Sequence, residues 1–232
     1  MDQTLKVTSA LSDPTRFNIY QFIIKNHESV SVTQIADIFD IHPNVARLHL
    51  SKLEDVKLVA SYTKKTGKGG RPGRLYRLAD EVVELNFPYR DYKLLSSIAI
   101  ETFVNLGEPG RQALYDTGRK YGTELMAQHQ KDTPIHQMVN EEKFKIVEEA
   151  ATLFGMYPVF SYDDEKQHVT MTVSNCPFKE VASKSGPNKK MICNMHHAFL
   201  NGMFEVMFGE VELVELDNML DGCKNCLYAV HV

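Results

Sequence analysis

Four cysteines are the residues of this chain best suited to chemistry, and all of them lie in its last quarter. Their spacing is Cys176-x16-Cys193-x29-Cys223-x2-Cys226. Two thiolates separated by two residues can bind one metal ion, and the backbone amides of such a turn can donate to their sulfurs. A CxxC pair alone is weak evidence. The gathering of every cysteine in one segment favours a metal or iron–sulfur centre over structural disulfides.

Other interpretations of these cysteines stay open. They could be buried apolar side chains, or Cys223 and Cys226 could form a dithiol redox pair without metal. Four thiolates suit zinc and an iron–sulfur cluster equally well by ligand type. His196 and His197 follow Cys193 by three and four residues, so one of them could replace a thiolate or bond to a sulfur. A histidine on a helix surface is more often only polar.

A small α+β unit is predicted to position the cysteines. Apolar spacing predicts six elements: helices over 141–155 and 192–208, and strands over 157–162, 168–173, 211–216 and 227–232. Cys193 falls in the first turn of the second helix, and Cys176 lies in a loop before a proline. We therefore expect a C-terminal sensor domain over residues 136–232.

The first 80 residues show a different pattern, that of short helices. Apolar spacing predicts helices over 5–11, 14–26, 33–39 and 43–53. A tight turn joins the last two, and the fourth helix has polar residues opposite its apolar face. Two short helices of this kind are typical of a helix-turn-helix motif.

A basic hairpin is predicted directly after the fourth helix. Residues 58–63 and 74–78 read as two strands, and four glycines lie between them. From Val56 to Ala79 there are seven Lys and Arg residues and no acidic residue. Such a hairpin suits a DNA partner, because the Lys and Arg side chains neutralise phosphates and the glycines let the backbone approach closely. The alternative is a solvated loop beside an ordinary helical hairpin.

The net charge also differs between the N-terminal and C-terminal parts of the chain. Residues 1–90 contain 13 Lys and Arg against 10 Asp and Glu, a net charge of +3, whereas residues 91–232 contain 13 against 20, a net charge of -7.

No stretch approaches the ~20 consecutive apolar residues of a membrane helix, and the start lacks the apolar core of a signal peptide. We expect a cytoplasmic protein with no membrane partner. Motifs for a nucleophile elbow, a phosphate loop or HExxH are missing, so the sequence predicts no enzyme.

The segment 87–135 is predicted to be a helical linker and dimerisation arm. A helix over 92–106 has an apolar face, residues 107–110 break it, and a more polar helix follows over 111–130. A palindromic operator requires a two-fold protein, so we expect the arm to pair with its copy in a homodimer. Packing within one chain is the alternative.

Three N-terminal segments resemble known regulators. ALSDPTR (10–16) resembles the entry of ArsR-like winged helices, HPNVARLHLSKL (42–53) is similar to the recognition helix of their DeoR/SufR-like relatives, and GRPGRLYRL (70–78) resembles the wing of the same group. The resemblance implies a winged helix-turn-helix domain over residues 1–86 that binds double-stranded DNA. Lys57 departs from the pattern, because these families usually have glycine there.

This resemblance implies which residues contact DNA. Side chains of the fourth helix would approach base edges, and those of the wing would enter the minor groove or touch phosphates. The predicted DNA-binding residues are Asn44, Val45, Arg47, Leu48, Ser51, Lys64, Lys65, Lys68, Arg71 and Arg74. Arg and Asn are suited to guanine and adenine in the major groove. His49 is expected to pack or hydrogen-bond rather than to read a base.

The cysteine segment resembles the sensor domain of SufR-type regulators. The resemblance consists of NCPF (175–178), a cysteine at the start of the next helix, and GCKNCLYAV (222–230). Those proteins repress iron–sulfur assembly operons and bind a cluster through cysteines. The implied metal ligands are Cys176, Cys193, Cys223 and Cys226, with an iron–sulfur cluster as cofactor and zinc as the alternative.

The whole chain is thus predicted to have an α+β fold with a winged helix-turn-helix, a helical dimerisation arm and a small cysteine-bearing sensor domain. We expect a repressor in which cluster binding favours one arrangement of the two DNA-binding heads and so changes operator affinity. A winged-helix regulator with structural zinc and a small-molecule effector is one alternative. A thiol oxidoreductase that uses the CxxC pair is another.

Overall fold

The computed structural model divides into two compact units, Met1–Arg90 and Asp91–Val232, each with its own buried core. The residues that it describes are 2–26, 28–64, 73–85, 88, 90–129, 134–163 and 168–232. Helices and antiparallel sheets occur in both units, so the predicted α+β class is confirmed.

The first unit is a helical domain with a small sheet. Its described elements are α1 (Asp2–Leu11), α2 (Pro14–Asn26), β1 (Val30–Ser31), α3 (Val32–Phe39), α4 (Pro43–Asp55), β2 (Val59–Lys64) and β3 (Gly73–Leu78). The strand order is β1-β3-β2, with both pairs antiparallel. The four predicted helices and the hairpin are present. The two-residue strand β1 was not predicted, because it is too short to show a period.

Local capping explains where the helices of the helix-turn-helix begin. Ser31 Oγ accepts from the Gln34 amide, and Gln34 Oε1 accepts from the Ser31 amide, so both residues satisfy amides at the start of α3. At α4, His42 Nδ1 accepts from the Asn44 amide, and Pro43 occupies the first turn, where a missing N–H costs nothing. Both helices turn apolar side chains into a core that includes Ile19, Ile23, Ile35, Leu50 and Leu53.

The second unit packs helices on an antiparallel sheet. Its described elements are α5 (Tyr92–Asn105), α6 (Glu108–His129), α7 (Asn140–Leu153), β4 (Val159–Asp163), β5 (His168–Val173), α8 (Lys179–Lys184), α9 (Lys189–Phe208), β6 (Glu212–Asp217) and β7 (Cys226–His231). The strand order is β4-β5-β7-β6. Phe144 of α7, Phe204 of α9 and Met171 and Tyr228 of the sheet share one core.

Two helix starts and one short helix are the main differences between this unit and the sequence prediction. Helix α6 begins at Glu108, because Pro109 lies in its first turn, where proline is tolerated. Helix α9 begins at Lys189, which places Cys193 in its second turn rather than its first. The six-residue helix α8 was not predicted, because it spans too few turns to establish a helical period.

Helices α6 and α9 cross with their backbones in contact. A Cβ atom at Gly122 of α6 would lie 2.8 Å from the carbonyl carbon of Phe199 and closer still to its oxygen, and one at Gly118 would lie 2.5 Å from the Met195 oxygen. From the other side, Gly202 of α9 meets the backbone of α6. Helix α6, which lies in the segment predicted as a separate arm (87–135), therefore packs against α9 within the second unit.

Candidate functional sites: a polar recognition helix and a cysteine-lined cavity

Helix α4 presents the predicted DNA-reading residues on one face. The side chains of Asn44, Val45, Arg47 and Leu48 are exposed, and that of Ser51 is half-buried. Leu48 is 57% exposed, an unusual position for a large apolar side chain on a helix whose other face is buried. An apolar group at this place suits contact with a thymine methyl group.

Two of these residues also contact each other. Arg47 Nη1 donates to Asn44 Oδ1 at 3.2 Å, which holds the guanidinium along the exposed face of the helix. His49 is buried, as expected. The exposed face therefore offers an Arg–Asn pair, the two side-chain types with the best bidentate match to guanine and adenine.

The wing is described at its base but not at its tip. Lys64 is exposed at the end of β2. Lys65, Lys68 and Arg71 lie outside the described residues. Arg74 is the second residue of β3, and its guanidinium donates hydrogen bonds to two side chains that the sequence did not single out, Glu54 and Ser61. These two could have been suspected only as polar residues flanking the basic segment.

Lys57 ends the recognition helix in a left-handed conformation. Its φ is 62°, the Lys57 amide donates to the Glu54 oxygen at 2.9 Å, and the Leu58 amide donates to the Leu53 oxygen at 3.0 Å. This is the hydrogen-bond pattern of a helix end that usually has glycine. Lys57 therefore occupies a backbone conformation that favours glycine, and it bears the backbone strain of a side chain.

Three of the four cysteines line one small cavity in the second unit. Cys176 lies in the loop after β5, Cys193 on α9, and Cys226 at the first residue of β7. The other lining side chains are mostly apolar and include Phe178, Ala182, Ile192, Met219 and Leu220. The cavity measures about 20 Å³, which is room for about one water molecule.

A buried histidine lies between two sulfur atoms at this cavity. Cys176 Sγ is 3.5 Å from His196 Nδ1, and Met156 Sδ is 3.3 Å from His196 Nε2. Burial lowers the pKa of His196 to about 4, and burial raises the pKa of the Cys176 thiol to about 12. Both groups are thus neutral near pH 7. We assign the tautomer in which the thiol donates to Nδ1 and the Nε2 hydrogen points at Met156.

The other two cavity thiols are also held in their neutral form. Burial raises the pKa of Cys193, and a hydrogen bond from Asn218 partly offsets it. Burial likewise raises the pKa of Cys226, against a hydrogen bond from the Met219 amide at 3.5 Å. Burial also raises the pKa of the Tyr228 hydroxyl, which lies near these thiols. A cation that entered the cavity would reverse this preference, because metals bind the thiolate.

Cys223 and His197 lie apart from this group. Cys223 is exposed, and its thiol is 3.7 Å from Asp217 Oδ1, so only Cys226 of the CxxC pair reaches the cavity. His197 Nε2 lies 2.8 Å from the Leu213 carbonyl oxygen. Within the described part of the chain, no three His, Cys, Asp or Glu side chains are already grouped so that they could hold a metal ion. The structure thus brings three predicted ligands to one cavity without forming a finished coordination site.

Helix α5 exposes one apolar face. Tyr92, Leu94, Leu95 and Ile98 are each more than half exposed. The opposite face contributes Ile100 and Val104 to a small core with α9. No helix in the described ranges is long and apolar enough to cross a membrane.

Comparison with known proteins matches the two units to two families. Residues 11–62 match a helix-turn-helix domain family, and residues 119–231 match the family called methanogen output domain 1. The N-terminal unit is therefore a helix-turn-helix domain, as predicted. The second match does not connect the C-terminal unit to SufR-type iron–sulfur sensors. No curated protein matches the sequence significantly.

Two solved structures are similar at low identity. A trafficking protein particle complex subunit 3 from Naegleria fowleri, covalently bound to palmitic acid, is 15% identical with a TM-score of 0.43, over 60% of this chain and 95% of that chain. The phenol-responsive sensory domain of the transcription activator PoxR, with phenol, is 14% identical with a TM-score of 0.42, over 79% of this chain and 88% of that chain. Both TM-scores lie below 0.5, so neither similarity carries an assignment of ligand.

Proposed function

We propose that this protein is a DNA-binding transcription regulator whose operator affinity responds to the state of the cysteine-lined cavity. The observation that carries the proposal is the recognition helix α4, which exposes Asn44, Arg47 and Leu48 inside a matched helix-turn-helix domain. The net charge of +3 on residues 1–90 agrees with a DNA partner. By its resemblance to SufR-type proteins, we propose that it acts as a repressor.

A homodimer formed through α5 is part of this proposal. The exposed face made by Tyr92, Leu94, Leu95 and Ile98 is apolar over the first half of this 14-residue helix. Two such faces paired about a two-fold axis would bury these side chains, and a two-fold protein reads a palindromic operator. Ile98→Asp should then give monomers in sedimentation velocity. Asn105→Asp, an equal charge at an exposed polar position of α5, should leave the dimer intact.

Among the cofactors considered, a single thiophilic ion such as zinc fits the cavity better than an iron–sulfur cluster. The donor set is three sulfurs from Cys176, Cys193 and Cys226 in an apolar setting, which is the ligand chemistry of soft metals. A cluster contains several iron and sulfide ions and would need more room than about 20 Å³. Zinc and a cluster would each take a fourth ligand beyond these three thiols, and the exposed Cys223 lies outside the cavity. We therefore propose a single zinc ion, with an iron–sulfur cluster as the alternative that the test below distinguishes.

The neutral, unfinished state of the cavity suits a sensor. When bound, an ion would supply positive charge that favours three thiolates. The protein's own part is to hold Cys193 on α9 and Cys176 beside His196, so that a change in the thiols acts on α9. Helix α9 is fixed to α6 by their glycine contacts, and residues of α5 pack against its N-terminal half. Binding would shift the protein between two arrangements of these helices to the extent that the ion binds one arrangement more tightly than the other.

The thiol chemistry argues against the oxidoreductase alternative. A redox CxxC pair works through an exposed thiolate with a lowered pKa. Here burial raises the pKa of Cys226, and only Cys223 is exposed. A regulator therefore accounts for this pair better than a thiol enzyme does.

The test begins with selection of bound duplexes from a random DNA pool by the purified, anaerobically handled protein. Affinity for the selected duplex is then measured by fluorescence anisotropy for metal-free, zinc-loaded and iron–sulfide-reconstituted protein, with metal and sulfide counted per chain. We expect an enriched palindrome, its loss in Arg47→Ala, and an affinity that differs between metal-free and zinc-loaded protein. No enriched sequence would refute DNA recognition, and equal affinities in all three states would refute the sensing part.

A further inference from the structure

We infer that Arg74 is a positioning residue that fixes the wing to the recognition helix through Glu54 and Ser61, and that it does not itself contact DNA phosphates or bases. This inference rests on the DNA-binding function proposed above and specifies how one basic residue serves it. It replaces the expectation, drawn from resemblance, that Arg74 enters the minor groove.

Arg74, Glu54 and Ser61 form a closed set of hydrogen bonds across three elements. Arg74 Nη2 donates to Glu54 Oε2 at 2.6 Å, and Arg74 Nε donates to Ser61 Oγ at 2.8 Å. Ser61 Oγ donates in turn to Glu54 Oε1 at 2.7 Å. These bonds join β3, the last turn of α4 and β2. The bonds to the carboxylate are of the strong, charge-assisted kind.

The strand register shows which way Arg74 reaches. Arg74 lies opposite Thr63 in the β2–β3 ladder, whereas its hydrogen-bond partner Ser61 lies two residues further from the hairpin tip, opposite Tyr76. The guanidinium carbon lies over the buried Tyr76 ring, 5.3 Å from its centroid, and this contact also holds the side chain in place. The side chain is thus directed away from the tip and toward the end of the recognition helix.

The local charge also distinguishes Arg74 from the Lys and Arg side chains that would bind phosphate. Each cation that neutralises a phosphate releases counterions and steepens the salt dependence of binding. The Arg74–Glu54 pair has no net charge, and Glu54 is only 27% exposed at its side chain. The guanidinium could offer a phosphate only the N–H groups that this set leaves over, and a full contact would leave the Glu54 carboxylate unpaired and close to DNA, which costs binding energy. Lys64, exposed on the neighbouring strand, has no such carboxylate among the described ion pairs.

The test compares four variants by fluorescence anisotropy over a range of salt concentrations, on the selected duplex and on an unrelated one. Arg74→Ala, Arg74→Lys and Glu54→Gln each break the set, and Lys64→Ala is the matched control that removes an exposed cation across the same ladder. We expect the three network variants to lose about 5- to 30-fold in operator affinity, the equivalent of one or two kcal/mol. The salt slope of Arg74→Ala and of Arg74→Lys should equal that of the wild type.

Two further readouts distinguish positioning from contact. Arg74→Lys keeps the charge but cannot make both hydrogen bonds, so its operator affinity should fall as much as that of Arg74→Ala. Glu54→Gln removes a negative charge near the DNA, so its affinity for the unrelated duplex should rise while operator affinity falls. Lys64→Ala should lower the salt slope by about one unit on both duplexes.

The opposite pattern would overturn the inference. If Arg74→Ala lowered the salt slope by about one unit while Arg74→Lys and Glu54→Gln bound normally, Arg74 would be a phosphate contact. Normal operator binding by all three network variants would show that the set positions nothing. A wild-type protein that selects no duplex would remove the proposed function itself, which is a different result from either of these. Circular dichroism of each variant establishes that the first unit is folded before binding is compared.

Discussion

The close contact between helices α6 and α9 predicts that Gly122→Ala lowers the stability of the second unit. The new Cβ atom would lie 2.8 Å from the Phe199 carbonyl carbon and 3.1 Å from its Cα, so backbone atoms rather than a flexible side chain have to move. Overpacking costs about 1–3 kcal/mol, and a backbone obstacle places this site at the upper end. Alanine recovers about 1 kcal/mol, because it is the better helix former. The net loss of stability should be about 2 kcal/mol.

Thermal unfolding followed by circular dichroism measures this loss. For a unit of this size, about 2 kcal/mol corresponds to a fall in Tm of roughly 4–8 °C. The control is Thr117→Ala, an exposed position on the same helix, which should change Tm little. Gly202→Ala meets the same crossing from the other helix. The double variant should therefore lose less than the sum of the two single losses, because the first substitution already separates the helices.

An unchanged or raised Tm for Gly122→Ala would refute the reasoning. It would mean that the two helices pack further apart than described and that the usual benefit of alanine in a helix prevails. Purely additive losses in the double variant would show that the two glycines serve separate contacts. Either result would also weaken the proposed route from the cavity through α9 to α6.

Three other predictions follow from single sites. Lys57→Gly should raise the stability of the first unit by about 1 kcal/mol in urea unfolding, because a side chain at φ 62° is strained; an unchanged midpoint would contradict this. In native metal-free protein, Cys223 should react first with a thiol reagent and the three cavity thiols much more slowly, and Cys223→Ser should abolish the fast phase. Stability of metal-free protein should fall by up to about 3 kcal/mol as the pH drops from 6.5 to 4, because the pKa of His196 is lowered to about 4 and only the unfolded chain takes up its proton in that window. A His196→Asn variant that declined as steeply as the wild type would rule out this origin.

The first unit could be predicted well, because its information is local. The apolar spacing of α2, α3 and α4 shows directly in the sequence, and the turn between the last two helices is marked by Asp40 and Pro43. The exposed reading face follows from the same spacing. The Arg74–Glu54–Ser61 set could not be predicted, because it joins three segments whose register only the folded hairpin establishes.

The cysteine site was harder to predict for a reason of geometry. Sequence spacing shows that Cys223 and Cys226 are near each other, but it does not show that only Cys226 enters β7 and turns inward. Cys223 remains in the preceding turn, beside Asp217. The contacts of His196 with Met156 and Cys176 join residues 40 and 20 positions apart, and no local pattern predicts such pairs.

The order of strands in the second sheet has a consequence for synthesis of the protein. Strand β7 (Cys226–His231) is the last of the four to be made, yet it lies inside the sheet between β5 and β6. Translation adds about 5–20 residues per second, and the first unit can fold while the rest of the chain is still being made. The sheet has to wait for β7, which also brings the third thiol. On a ribosome, the DNA-binding unit therefore matures first, and the thiol cavity closes only after residue 226 has been made.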